Sequence, residues 1–169
     1  MQIIETKRLI LRELSAEDAE FVLELINEPA WKKNIGDRGI RTTEGAREYI
    51  LNGPAASYEK FGFGLWLVEL KESGVSVGIC GLIKRETLED VDIGFAFLER
   101  FWSKGYAVES AAAVMDYGRD ALGLKRIVAI TVPENLGSIK VLEKIGMRFE
   151  KMFKTAEDAE EIKLFARDF

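Results

Sequence analysis

Lys104 and Gly105 stand within Phe101-Trp102-Ser103-Lys104-Gly105-Tyr106-Ala107-Val108-Glu109-Ser110, between a strand-like run (Val91 to Leu98) and a long amphipathic helix. A strand-to-helix turn of this kind aims several backbone N–H groups and the positive end of a helix dipole at one point. The chemistry it can do is to hold an anion. Gly105 lets the backbone approach closely, and Ala107 keeps that approach open. Taken alone, the segment also reads as an ordinary connection that contains a glycine. Further on, Asn135-Leu136-Gly137-Ser138-Ile139-Lys140-Val141-Leu142-Glu143-Lys144-Ile145-Gly146-Met147 follows the apolar run Arg126 to Val132. Here Asn135 caps a helix that Gly146 closes.

The chain has no histidine, which excludes Ser-His-Asp and Cys-His catalysis and histidine-based metal sites; no metal is expected. Acid–base work falls to carboxylates, hydroxyls, lysine or water. Only Gly105 of a G-x-G-x-x-G fingerprint is present, and no G-x-x-x-x-G-K-[ST] element occurs, so nucleotide folds of those kinds are disfavoured. The net charge of −5 argues against nucleic acid as a partner and suits a cationic acceptor better. Cys80 is alone in an apolar run, reads as core filler and fits a reducing cytoplasm. No apolar run approaches the roughly 20 residues that span a bilayer, so no membrane partner is expected, and the amino terminus lacks a signal pattern. A soluble cytoplasmic protein of one domain, residues 1–169, is the expectation.

The elements that hold these residues follow from periodicity. Arg8 to Glu13 alternates as a strand, and Ser15 caps a helix loaded with Glu17, Asp18 and Glu20 that Pro29 ends. A second helix runs from about Thr43 to Leu51, Asn52-Gly53-Pro54 breaks it, and a helical piece continues towards Lys60. Phe63 to Leu70, Val75 to Lys84 and Val91 to Leu98 have the spacing of an antiparallel meander. Tyr106 to Ala121 is a helix, Arg126 to Val132 a buried strand, Asn135 to Ile145 a helix, and Arg148 to Phe153 and Glu161 to Phe169 are strands. This order mixes a meander with strand–helix–strand units and predicts an α+β fold.

The turn at Phe101–Ser110 and the Asn135–Met147 segment together resemble the acetyl-CoA-binding core of the GNAT N-acetyltransferases. In particular they look like the RimJ/RimL-like branch, related to the enzymes that acetylate ribosomal-protein N-termini, whose pattern is roughly aromatic-W-G-K-G-Y-A-T-E-A followed by N-x-x-S-x-x-V-L-E-K-x-G-F. The opening Glu5-Thr6-Lys7-Arg8-Leu9-Ile10-Leu11-Arg12 also looks like that branch's first strand, so the resemblance covers nearly the whole chain. It implies the GNAT fold: a mixed, mostly antiparallel seven-stranded sheet flanked by about four helices and splayed between strands four and five. The pantetheine of acetyl-CoA would lie in that gap.

The resemblance also implies roles. The diphosphate would meet Trp102, Ser103, Lys104, Gly105, Tyr106 and Ala107. Backbone groups of Phe95 and Phe97 would pair with the pantetheine, the Phe97 amide polarising the thioester oxygen. Asn135 would tether either the helix start or the pantetheine. Two departures stand out: Trp102 replaces the Gln or Arg that opens the turn in the wider family, and Leu142 replaces the tyrosine that protonates the departing thiolate. Ser138, one helical turn after Asn135, is the replacement proton donor, although such a serine can equally satisfy backbone. Asp92 matches an acidic position of the branch's fourth strand and is the candidate base, with Asp90 on the same face. Glu109 serves the helix start. Trp31, Trp66 and Tyr49 are candidates for the acceptor end, and the loop from Trp31 to Thr43 for acceptor choice. The implied activity is direct acetyl transfer to a primary amine, a protein N-terminus or a small molecule. A non-catalytic acyl-CoA sensor is the alternative, and oligomeric state, a homodimer included, stays open.

Overall fold

The computed structural model describes residues 1–169. Its elements are β1 (Gln2–Glu5), β2 (Leu9–Glu13), α1 (Ala19–Ile26), α2 (Pro29–Asn34), α3 (Thr43–Ile50), α4 (Ala56–Phe61), β3 (Leu65–Leu70), β4 (Ser76–Ile83), β5 (Asp92–Phe97), α5 (Tyr106–Asp120), β6 (Arg126–Thr131), α6 (Leu136–Lys144), β7 (Arg148–Phe153) and β8 (Ile162–Asp168). The strands form one sheet in the order β1-β2-β3-β4-β5-β6-β8-β7. All neighbours are antiparallel except β5 and β6. The class is α+β, as expected, with eight strands in place of seven.

The additional strand is β1, which the Thr6–Arg8 turn separates from β2. Glu109, reaching over from α5, fixes that turn: its carboxylate accepts from Thr6 Oγ1 at 2.6 Å, Arg8 N at 2.9 Å and Arg8 Nε at 2.7 Å. Burial opposes its charge, but these bonds outweigh burial and hold its pKa below the usual value.

Each face of the sheet carries a core. Leu9, Leu11, Trp66, Cys80, Leu82, Ile93 and Phe97 pack under Ala111, Val114 and Met115 of α5 and Leu142 of α6. Leu67, Ile79 and Leu98 pack on the other side against Val22, Leu25 and Ile26 of α1 and Ala46 and Ile50 of α3. Gly118 sets the approach of α5 to the sheet: a Cβ there would lie 2.7 Å from Ile127 Cδ1.

Two proline expectations are corrected. Pro29 opens a helix rather than ending one, because α1 has already stopped at Ile26 and proline at a first helical position forfeits no hydrogen bond. Pro54 does not break the chain's path. Leu51–Ala55 forms a wide π turn that carries α3 into α4, avoiding the clash a proline causes in an ordinary turn.

Candidate active site

Strands β5 and β6 are bridged at one place, Asp92 opposite Val128, where Val128 N donates to Val91 O at 3.0 Å. Beyond that vertex they part. Leu98 N donates to Val77 O at 3.0 Å on the β4 side, so by alternation the even residues of β5 bond β4. Phe95 and Phe97 therefore turn their backbone groups towards the gap. Phe97 has half of that capacity left, since its carbonyl accepts from Trp102 Nε1 at 2.8 Å. Phe95 lies closer to the vertex than Phe97 and belongs to the cavity wall. The Phe97 side chain is core.

After β5, a short helical turn at Glu99–Phe101 leads into Trp102 to Gly105. Ser103 has φ 62° and is the only non-glycine residue with positive φ; Gly105 follows at φ 84° and caps α5. Glu109 N is the first of the helix to bond back, to Gly105 O at 3.0 Å, so the amides of Tyr106, Ala107 and Val108 have no intrahelical acceptor. Arg8, whose part the sequence reading missed, braces the turn from beneath. Its Nη1 donates to Lys104 O at 2.9 Å, its Nε is held by Glu109, and its guanidinium lies 4.7 Å from the centre of the Tyr106 ring. The turn, its side chains from Trp102 to Gly105 exposed, lies outside the cavity wall.

A cavity of about 490 Å³ fills the space between α2, the α3–α4 segment, the open strands and the start of α6. Asn135 and Ser138 stand together on its rim. Asn135 Oδ1 accepts from Ser138 N at 3.2 Å, capping α6, and its Nδ2 donates to Ser138 Oγ at 3.0 Å. Because Ser138 Oγ accepts there, its own proton remains available to another partner. Leu142, one turn further, is buried in the same wall and offers no proton.

Asp92 also lines the cavity and is 1% exposed. Burial pushes its pKa up to about 6, against the pull of Arg85, whose Nε lies 3.1 and 3.3 Å from its two oxygens. A carboxylate so poised can take up a proton near neutrality. Asp90 does not share this face. It precedes β5 and pairs instead with Arg126 at 3.2 Å, in a cluster with Glu150 and Asp168. Cys80 is fully buried, its thiol pushed up to about 12, which suits packing and not nucleophilic attack.

Of the three aromatic candidates, Trp31 and Tyr49 line the cavity. Trp66 does not; it packs edge-on against Tyr117, ring centres 5.4 Å apart. The Trp31–Thr43 segment divides into α2 and a loop, and Trp31, Asn34, Ile35 and Arg38 reach the wall. Arg38 lies in the loop singled out for acceptor choice, but its own place in the wall had no signal in the sequence, nor had that of Arg85, since only the folded chain brings a loop after α2 near a loop after β4.

Residues 8–148 match the family model described as "Acetyltransferase (GNAT) domain". An uncharacterized N-acetyltransferase, YnaD, of Bacillus subtilis (strain 168) is 34% identical over 151 residues, 89% of this chain and 85% of its own. A solved acetyltransferase of the GNAT family from Bacillus anthracis superposes with a TM-score of 0.82 at 30% identity, over 99% of this chain and 98% of that one. RimL, a ribosomal alpha-N-protein acetyltransferase solved in complex with coenzyme A, shares the fold with a TM-score of 0.85 at 19% identity, over 99% of this chain and 98% of its own.

Proposed function

The chain belongs to the GNAT acetyltransferase family, and on that premise we propose that it moves the acetyl group of acetyl-CoA to a primary amine by direct attack in a ternary complex. The carrying observation is the continuity of one backbone surface. Unpaired strand groups at Phe95 and Phe97 face the β5–β6 gap, and the same strand runs on into a turn whose left-handed Ser103 and Gly105 present the first amides of α5. An extended pantetheine amide chain suits the first part and a diphosphate the second. The donor supplies an activated acetyl group with a good leaving thiolate.

The residues around the gap divide the remaining work. The Phe95 amide, nearest the vertex, is the donor best placed to stabilise charge on the thioester oxygen; Phe97, with its carbonyl held by Trp102, serves the pantetheine. Ser138 Oγ gives a proton to the departing sulfur, taking the place that Leu142 cannot fill. Asp92 accepts the proton that the amine must lose before or during attack. Trp102, Ser103, Lys104, Gly105, Tyr106 and Ala107 hold the diphosphate mainly through backbone, with Arg8 as brace.

The test is release of free thiol from acetyl-CoA by the purified protein over a panel of primary amines, including short peptides with free N-termini, polyamines and amino sugars. Turnover with any of them is expected. Tight CoA binding without turnover would instead establish the non-catalytic sensor, and absence of CoA binding would overturn both readings.

A further inference from the structure

Five charged side chains line the cavity, and four of them, Arg38, Lys60, Lys84 and Arg85, are cationic; Asp92 is the lone acid. This reverses the sign of the whole chain, which carries a net charge of −5. The two arginines share the cavity wall with Tyr49. Burial raises the pKa of that phenol, and the positive charges of Arg38 and Arg85 both pull it back. The Arg38 guanidinium lies 5.2 Å from the Tyr49 ring centre.

Neither arginine is neutralised fully. Arg85 meets Asp92 through Nε, which leaves the outer nitrogens of its fork free, and its side chain is 40% exposed. Arg38 has no carboxylate partner, although its loop neighbour Arg41 is paired with Asp37 at 2.6 Å. Asp37 also accepts Gly39 N at 2.9 Å, and Asn27 fastens the loop through Ile40 O at 3.0 Å. The loop is thus tied by its own polar groups while Arg38 stays unpaired over the cavity. Lys84 is less available, since its ammonium is spent on Leu88 O and Glu89 O. One more donor stands in the same wall: Trp31, 5% exposed, whose Nε1 is the only buried side-chain polar atom without a partner.

We propose that the acceptor is a small primary amine that also carries an anionic group, a carboxylate or a phosphate, which Arg38 and the outer face of Arg85 bind beside Tyr49 while the amine faces Asp92. The inference rests on the acetyl-transfer reading and adds the acceptor's class. Polyamines and other purely cationic amines are disfavoured, since they would meet the guanidiniums without compensation. The anion is not that of coenzyme A, whose cradle at Trp102–Ala107 lies outside this cavity wall.

Acetyl transfer is compared between ω-amino acids, from glycine to 5-aminovalerate, and their primary amides, and between phosphoethanolamine and ethanolamine; the two series distinguish carboxylate from phosphate. In at least one series the anionic member should be favoured about ten- to hundredfold in kcat/KM, chiefly through KM, as expected for one charge-assisted contact. Arg38→Gln should abolish most of that preference, chiefly by raising KM for the anionic members, while leaving CoA affinity unchanged. Preference for neutral or cationic amines, or an anion preference that survives Arg38→Gln, overturns the proposal. If no amine is acetylated, calorimetric titration of the same pairs into the CoA complex decides. Selective anion binding that Arg38→Gln removes would keep the acceptor pocket and sink the transfer reading, whereas equal or absent binding would sink the pocket too.

Discussion

At the scale of single residues, Asp92, the proposed base, would join function to stability. Its pKa of about 6 lies above the ordinary 3.8 because burial disfavours the charged form more than Arg85 favours it. A carboxyl whose pKa is raised by folding binds its proton more tightly in the folded state. The contribution of Asp92 to stability should therefore be fullest below pH 4, decline as pH rises through the window from about 4 to about 6, and level off above it. Two pKa units correspond to roughly 3 kcal/mol, an upper figure for what the ionised form costs at neutral pH. Asp92→Asn should then raise the melting temperature at pH 7 by several degrees and give no such gain at pH 4, measured by thermal unfolding across pH. The same variant should lose about 10²- to 10⁴-fold in kcat, the usual worth of a positioned base, together with the break near pH 6 in the pH–rate profile. Ser138→Ala probes the other proton. A loss in kcat larger with acetyl-CoA than with a donor bearing a more acidic leaving thiol would mark a proton donor, whereas an equal small loss would mark only the missing contact with Asn135. The caps Ser15, Asn135 and Gly146 were legible in the chain because each acts within a few residues of itself. Arg8, Arg38 and Arg85 were not, because each acquires its role from a segment distant in sequence.

At the scale of elements, the turn before α5 was readable because its requirement is local. Gly105 at φ 84° needs glycine's freedom, and an added Cβ would also stand 3.1 Å from Arg8 Nη2. Gly105→Ala should therefore disturb both the left-handed cap and the arginine beneath it. The expected result is CoA affinity reduced by about tenfold or more, seen by calorimetry, since left-handed strain at a non-glycine residue costs on the order of 1 kcal/mol or more. Arg8→Ala should weaken CoA less, because the carbonyl of Lys104 can turn to water once the guanidinium is gone. Elsewhere, local rules misled. Asn52-Gly53-Pro54 carries breaker residues, yet Pro54 is buried, and the packing of α3 and α4 on either side favours a widened turn over an interruption. Pro29 was read as a stop because apolar periodicity ran up to it, whereas Asn27, bonded through Nδ2 to Leu23 O at 2.8 Å and Ile40 O at 3.0 Å, stands at the actual end of α1. β1 escaped notice because four half-exposed edge residues leave too short a pattern to separate from β2.

At the scale of the whole molecule, the sheet is two sheets sharing a hinge line. β1 to β5 form an antiparallel block, β6 to β8 another, and their only sheet bridge is Asp92 with Val128. The α5 helix crosses between them through Gly118, and Arg126 ties the vertex by joining Asp90, ahead of β5, to Glu150 on β7 and Asp168 on β8. The order of elements was enough to expect a mixed sheet, but no pattern in β5 or β6 reveals that they part, since an unpaired edge and a paired one carry the same apolar residues. A ligand lying in that gap would bond one block along Phe95 and Phe97 and fill the space before the other. It should thus stabilise the assembly as a unit and not one segment. Saturating CoA at about a hundred times its dissociation constant adds roughly 2.7 kcal/mol, which for a chain of this size corresponds to a rise of about 5 to 10 °C in melting temperature. Pantetheine without the nucleotide should give much less at equal concentration, because on the proposed binding mode it would engage the strands and not the Trp102–Ala107 turn. Gly105→Ala should shrink the CoA shift towards the pantetheine value. A CoA shift no larger than that of pantetheine in the unaltered protein would place the nucleotide away from this turn, and no shift at all up to millimolar CoA would mean that the gap is not a cofactor slot.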